Sequence, residues 1–156
     1  MFMKPANNEG VTLVELVVVL VIIAITAGLL VPNIGAWLPN YRLRSATRDI
    51  VSTMRTAQMR AVSNNIQYRV NFNAAEIGAI NSYVLQHDNG GGGFDNDGAV
   101  ETLPTGITIS SNLFPVGRAV FNRDSTSSGG SITLQNTKGS TRMITLTTVT
   151  GRVSIN

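Results

Sequence analysis

Apolar residues crowd into one stretch near the N-terminus. From Val11 to Val31 only Thr12, Glu15, Thr26 and Gly28 interrupt a continuous apolar run. At 1.5 Å per residue this run makes about 32 Å of helix, which matches a bilayer hydrocarbon core of ~30 Å. From Tyr41 the pattern changes. Leu43, Ala46, Ile50, Met54, Ala57 and Ala61 recur at spacings of three and four, the signature of an amphipathic helix with one buried stripe. After Asn64-Asn65 the period becomes two, with Ile66, Tyr68, Val70 and Phe72 on one face of a strand. Strand-like runs follow at Tyr83–His87, Ile107–Ser110, Ala119–Asn122, Ile132–Gln135, Met143–Thr148 and Arg152–Ile155. Turn signals at Pro104-Thr105-Gly106, Gly129-Gly130, Lys138-Gly139 and Thr150-Gly151 separate the later ones. The pattern predicts an α+β fold: a long N-terminal helix, membrane-spanning in its first half, packed on an antiparallel β-sheet head.

Two features of the first stretch call for an account. Pro32 and Pro39 each remove a helical hydrogen bond, so either the helix ends at Pro32 and restarts or it runs through with a softened segment. Glu15 is the other. A carboxylate within an apolar span costs on the order of 2.5–3.5 kcal/mol to insert. A secretory signal peptide would be cut after the apolar run, but the small-residue site Thr26-Ala27-Gly28 is followed by more apolar residues. A plain signal anchor suits the length and leaves Glu15 unexplained. Near the end of the span, Glu15 could also simply reach the interface.

The stretch Gly10-Val11-Thr12-Leu13-Val14-Glu15 resembles the leader junction of type IV prepilins and type II secretion pseudopilins. The resemblance implies cleavage by a prepilin peptidase between Gly10 and Val11, followed by N-methylation of Val11. Phe or Met is the commoner residue of that family where Val11 stands. Glu15 becomes the fifth residue of the mature chain, one helical turn from a newly made, positively charged amine. It suits the positive end of its own helix dipole, and its natural partner in lipid is the amine of another subunit. Gly28 and Pro32 resemble the softened stretch of a pilin spine. Further on, Tyr68-Arg69-Val70-Asn71-Phe72, Leu103-Pro104-Thr105-Gly106-Ile107, Val120-Phe121-Asn122, Gly130–Leu134 and Gly151-Arg152-Val153 occur in an order similar to the minor pseudopilins of the general secretion pathway H, FimT and FimU type. The implied organisation is a leader at 1–10, a transmembrane and polymerisation helix at 11–38, an amphipathic second half at 39–64 and a β-rich head at 65–156.

Charge adds an asymmetry. Arg42, Arg44, Arg48, Arg55, Arg60 and Arg69 face only Asp49 within their segment, whereas residues 70–156 hold five basic and six acidic side chains. The overall charge of +3 is therefore a poor argument for nucleic-acid binding. Counting bases around the span places Lys4 before it and Arg42, Arg44 and Arg48 after it, which alone would leave the head in the cytoplasm. The leader motif outweighs this count, because large domains are translocated largely regardless of charge.

Other chemistry is thin. The chain has no cysteine and one histidine, His87, which excludes disulfides, thiolate sites and His clusters. Gly90–Gly93 reads as a flexible tip, since no phosphate-loop lysine follows. Asp95 and Asp97 are weak calcium candidates without a completed EF-hand spacing. Arg152 is a weak DNA-contact candidate, because DNA-uptake minor pilins carry basic residues at this edge. No cofactor is expected and no enzyme.

The expected function is that of a structural minor subunit of a type II secretion pseudopilus or type IV pilus. Expected partners are other pilin or pseudopilin subunits, prepilin peptidase, an inner-membrane assembly platform and the lipid bilayer, but not nucleic acid. The expected place is the inner membrane, crossed once with the head in the periplasm, and then the filament. The alternatives are a DNA-binding minor pilin for natural transformation and a signal-anchored periplasmic protein.

Overall fold

The computed structural model describes residues 10–73 and 81–156, without the side chains of residues 29–34 and 36. The leader positions 1–9 lie outside the described residues. The chain forms two compact units, Met1–Trp37 and Leu38–Asn156.

Helix α1, Leu13–Asn64, begins in the first unit and ends in the second. Its assignment runs through Pro32 and Pro39 without a break, which removes the expectation that the helix ends at Pro32 and restarts. In the first unit the described apolar side chains of α1 are exposed. No helix among the described residues is long and apolar enough to cross a membrane. The described apolar side chains of that stretch stop short of the ~20 residues a span needs, and the sequence continues apolar to Val31.

The second unit shows why the period of three and four matters. Leu43, Ala46, Ile50, Met54, Ala57 and Ala61 are all buried, together with Thr47 and Val51. The apolar ones join one core cluster with residues of every long strand. Small side chains at Ala46, Ala57 and Ala61 let the helix lie close to the strands beneath it. Thr47 satisfies its hydroxyl by donating back to the Leu43 carbonyl at 2.7 Å, so burying it leaves no unpaired polar group.

The head contains two antiparallel sheets. Strands β1 (Tyr68–Phe72), β2 (Ser82–Asp88), β3 (Phe94–Asn96), β4 (Glu101–Thr102) and β6 (Arg118–Phe121) form the first, in the order β3-β2-β1-β6 with β4 also on β2. Strands β5 (Ile107–Asn112), β7 (Gly130–Asn136), β8 (Thr141–Leu146) and β9 (Val153–Ile155) form the second, in the order β5-β7-β8-β9. The alternation read in the sequence is the burial pattern of β1, where Tyr68, Val70 and Phe72 point into the core. Gly130 opens β7 at φ +121°, where a Cβ would run into the Phe114 ring and backbone. That close approach seats Phe114 against Phe72 in a stacked pair, with centroids 5.6 Å apart.

Gly90–Gly93 is not a loose tip. It is the turn of the β2–β3 hairpin. Asn89 Oδ1 accepts hydrogen bonds from the Gly91 and Gly93 amides at 3.0 and 3.1 Å, and Asp88 Oδ1 accepts from Gly90 at 2.9 Å. The glycines supply the positive φ values at Gly90 and Gly92 that such a turn requires.

Candidate functional site

The junction residues stand in a simple local arrangement. Gly10, Val11 and Thr12 precede the helix, which starts at Leu13. Val11 is 73% exposed, and nothing lies within 4 Å of where a Cβ on Gly10 would stand. The backbone on both sides of the Gly10–Val11 bond lies outside the helix. Thr12 Oγ1 accepts a hydrogen bond from the Glu15 amide at 3.3 Å, and the Thr12 carbonyl accepts from the Leu16 amide at 3.2 Å. Thr12 is thus the N-cap, and Glu15 sits at the third helical position, in the first turn beside the unsatisfied amides. Sequence reasoning missed this role for Thr12. A threonine three residues before a glutamate, leading into an apolar run, is the signal that marks it.

Gly28 lies in the helix, and nothing stands within 4 Å of where its Cβ would be. Pro32 lies within α1, and its side chain is outside the described ones.

The second unit holds α1 to the strands by polar contacts around the buried stripe. Arg42 Nη1 donates to the Thr105 carbonyl at 3.0 Å, and Asn136 Nδ2 donates to Asn40 Oδ1 at 2.9 Å. Gln58 Nε2 donates to the Thr150 carbonyl at 3.1 Å. Arg60 forms an ion pair with Asp97, and hydrogen bonding to that carboxylate raises the guanidinium pKa further. Asp97 is therefore already engaged. Asp95 accepts from Asn89 at 3.3 Å. Among the described residues no three acidic or histidine side chains gather in a group that could hold a metal ion.

Arg152 is placed by Gly151. At φ +59° and buried, Gly151 leaves no room for a Cβ, which would meet Gln58 Nε2 and the Ser125 carbonyl each at 2.6 Å. The tight turn delivers Arg152 and β9 beside α1. Arg55, Gln58 and Met59 of the helix and Arg152–Ile155 line an open groove there. A second hollow, reached past Ile155, is lined by Arg44, Thr47, Arg48 and Arg142. The fold thus brings together five arginines from three segments. A charge count by segment misses this gathering. Arg44, Arg48 and Arg55 stand at spacings of four and seven along α1, which puts them on one side of the helix.

Comparison with known proteins agrees with this layout. Residues 5–31 match the family model of the prokaryotic N-terminal methylation motif. Residues 46–151 match that of the type II transport protein GspH. No curated protein matches. Among solved structures the chain is similar to the minor pseudopilin EpsH from the Type 2 Secretion System of Vibrio cholerae. The two are 7% identical, and the match covers 74% of this chain and 96% of that one with a TM-score of 0.61. At this identity the likeness speaks for the fold alone.

Proposed function

This chain belongs to the type II transport protein GspH family, and on that premise we propose how its parts serve a filament. It is a structural, pilin-like minor pseudopilin subunit that carries the N-terminal methylation motif. Prepilin peptidase cuts between Gly10 and Val11 and methylates Val11. The apolar run holds the processed chain in the inner membrane, with the head on the periplasmic side until the assembly platform takes it up. Glu15 pairs with the N-terminal amine of a neighbouring subunit and sets its axial register, and the Gly28–Pro32 segment of the spine softens on packing. The role is architectural and not catalytic.

The observation that carries this reading is the order of the two family matches along one chain. The methylation motif covers Gly10–Glu15, and the head match follows it from residue 46 to 151, taking in most of the buried helix stripe and strands of both sheets. The exposed, non-helical backbone at Gly10 and Val11 supports cleavage there.

Two measurements test it. Intact-mass analysis of membrane-purified protein should find Val11 as the first residue, bearing one methyl group. Retention of residues 1–10, or a cut near Gly28, sinks the reading. The Glu15→Ala variant should be cleaved and inserted normally, since removing a charge eases insertion, yet co-purify poorly with the other filament subunits. Incorporation at the wild-type level would remove Glu15 as the docking charge.

A further inference from the structure

We propose that the groove between α1 and β9 is a docking site for an extended, acidic segment of a neighbouring subunit, which adds as a strand to the free edge of β9. This deepens the structural reading above by naming a lateral contact of the head, distinct from the contact made through the N-terminal helix.

The edge comes first. Strand β9 pairs with β8 on one side only and ends its sheet. Met143 and Asn156 exchange both backbone hydrogen bonds, at 3.1 and 2.9 Å. Hydrogen-bonded and non-bonded pairs alternate along an antiparallel ladder. Ser154 therefore bonds with Thr145, while the N–H and C=O groups of Val153 and Ile155 point away from β8. Among the described residues no hydrogen-bond partner is found for them. Proteins commonly blunt such an edge with lysine, proline or a covering loop. Here Val153, Ser154 and Ile155 instead line an open groove whose far wall is α1.

Charge then selects the occupant. Arg55 and Arg152 flank the groove and Arg44, Arg48 and Arg142 continue it, and no carboxylate lines either part. None of the five makes an ion pair among the described residues. A basic strand would be repelled, and an acidic one gains several charge contacts along with the edge hydrogen bonds. The groove also has an apolar side, since Met59 is 65% and Ile155 40% exposed. Arg55 and Met59, four residues apart on α1, share the helix wall of the groove, so an added strand that carries both acidic and apolar residues meets a charge at Arg55 and an apolar surface at Met59 and Ile155.

The test uses the full chain in mild detergent with two short blocked peptides. One alternates glutamate with valine, and the other alternates lysine with valine. Amide hydrogen exchange should slow at Val153 and Ile155 when the acidic peptide is added, and that peptide should bind at least about tenfold tighter than the basic one. Arg55→Glu combined with Arg152→Glu should reverse the preference. Both side chains are exposed, so the melting profile should hold. Ile155→Pro removes one edge donor without touching the β8–β9 bonds and should weaken the acidic peptide while leaving the melting profile unchanged. Equal affinity for the two peptides, or no added protection at Val153 and Ile155 with millimolar acidic peptide, overturns the proposal. Two other outcomes also overturn it: duplex DNA binding that Arg152→Ala abolishes and neither peptide matches, which makes this a nucleic-acid site, or a dimer that the Arg55→Glu change dissolves, which gives the groove to a second copy. None of these results alters the mass of the processed N-terminus, so the assembly reading stands or falls separately.

Discussion

Two methionines five residues apart on α1 allow the helix–sheet contact to be weighed directly. Met54 is fully buried in the core cluster, and Met59 is 65% exposed. Replacing either by alanine removes the same atoms from the same helix and changes intrinsic helix propensity in the same small, favourable sense. Only tertiary burial differs. Met54→Ala removes a side chain at the centre of the stripe, under both sheets. The loss of transfer energy and the cavity left behind should cost about 2–5 kcal/mol. For a head of this size about 4 °C follows from each kcal/mol, so melting should fall by roughly 8–20 °C. Met59→Ala should stay within about 0.5 kcal/mol of the parent. The assay is thermal unfolding of the full chain in mild detergent, followed by the near-ultraviolet circular dichroism of Tyr68 and Tyr83, both buried in the head. Equal losses for the two variants would refute the placement of the stripe, because then residues 43–61 would not pack on the sheets through the Met54 face. A small effect of Met54→Ala alone would mean that the neighbouring side chains collapse into the space.

Val116 holds a left-handed conformation, φ 54° and ψ 27°, while 86% exposed. That is an uncommon place for a β-branched residue, so Val116→Asn should stabilise the head by about 1 kcal/mol, read as a rise in melting temperature. Asp124 accepts hydrogen bonds from the Thr126 hydroxyl and amide at 2.6 and 3.0 Å, and these, the hydroxyl first, hold its carboxyl below the ordinary value of 3.8. The folded state therefore favours the ionised form. Stability from this turn is present above the unfolded value and is lost as pH falls through the lower folded one. Asp124→Asn should flatten the stability profile in that acidic window and leave its slope near neutrality unchanged, as measured by denaturant titration at several pH values.

Local periodicity made most of the elements legible from the residues alone. The apolar run, the stripe Leu43–Ala61 and the alternation from Ile66 to Phe72 each repeat over a few residues, so each is a property of a short segment. The junction at Gly10–Glu15 was equally local. It carried the resemblance that the methylation-motif match supports, although the capping role of Thr12 emerged only with the helix start in view. Strands β3 and β4, of three and two residues, are too short to show any period, and they exist because β2 offers them an edge.

What only the tertiary structure decided depends on residues far apart in the chain. Alternation states that a strand has a buried face but not which strand lies beside it, so the division of one expected sheet into two could not be read. Hydrogen-bond pairing between β1 and β6, or β5 and β7, spans dozens of residues, and its selection rests on burying both inner faces against α1 at once. The arginine groove has the same origin. Arg44, Arg48 and Arg55 belong to a helix, Arg142 to β8 and Arg152 to the turn before β9. They share a surface because Gly151, with no Cβ to collide with Gln58 and Ser125, lets the end of the chain fold back against the helix.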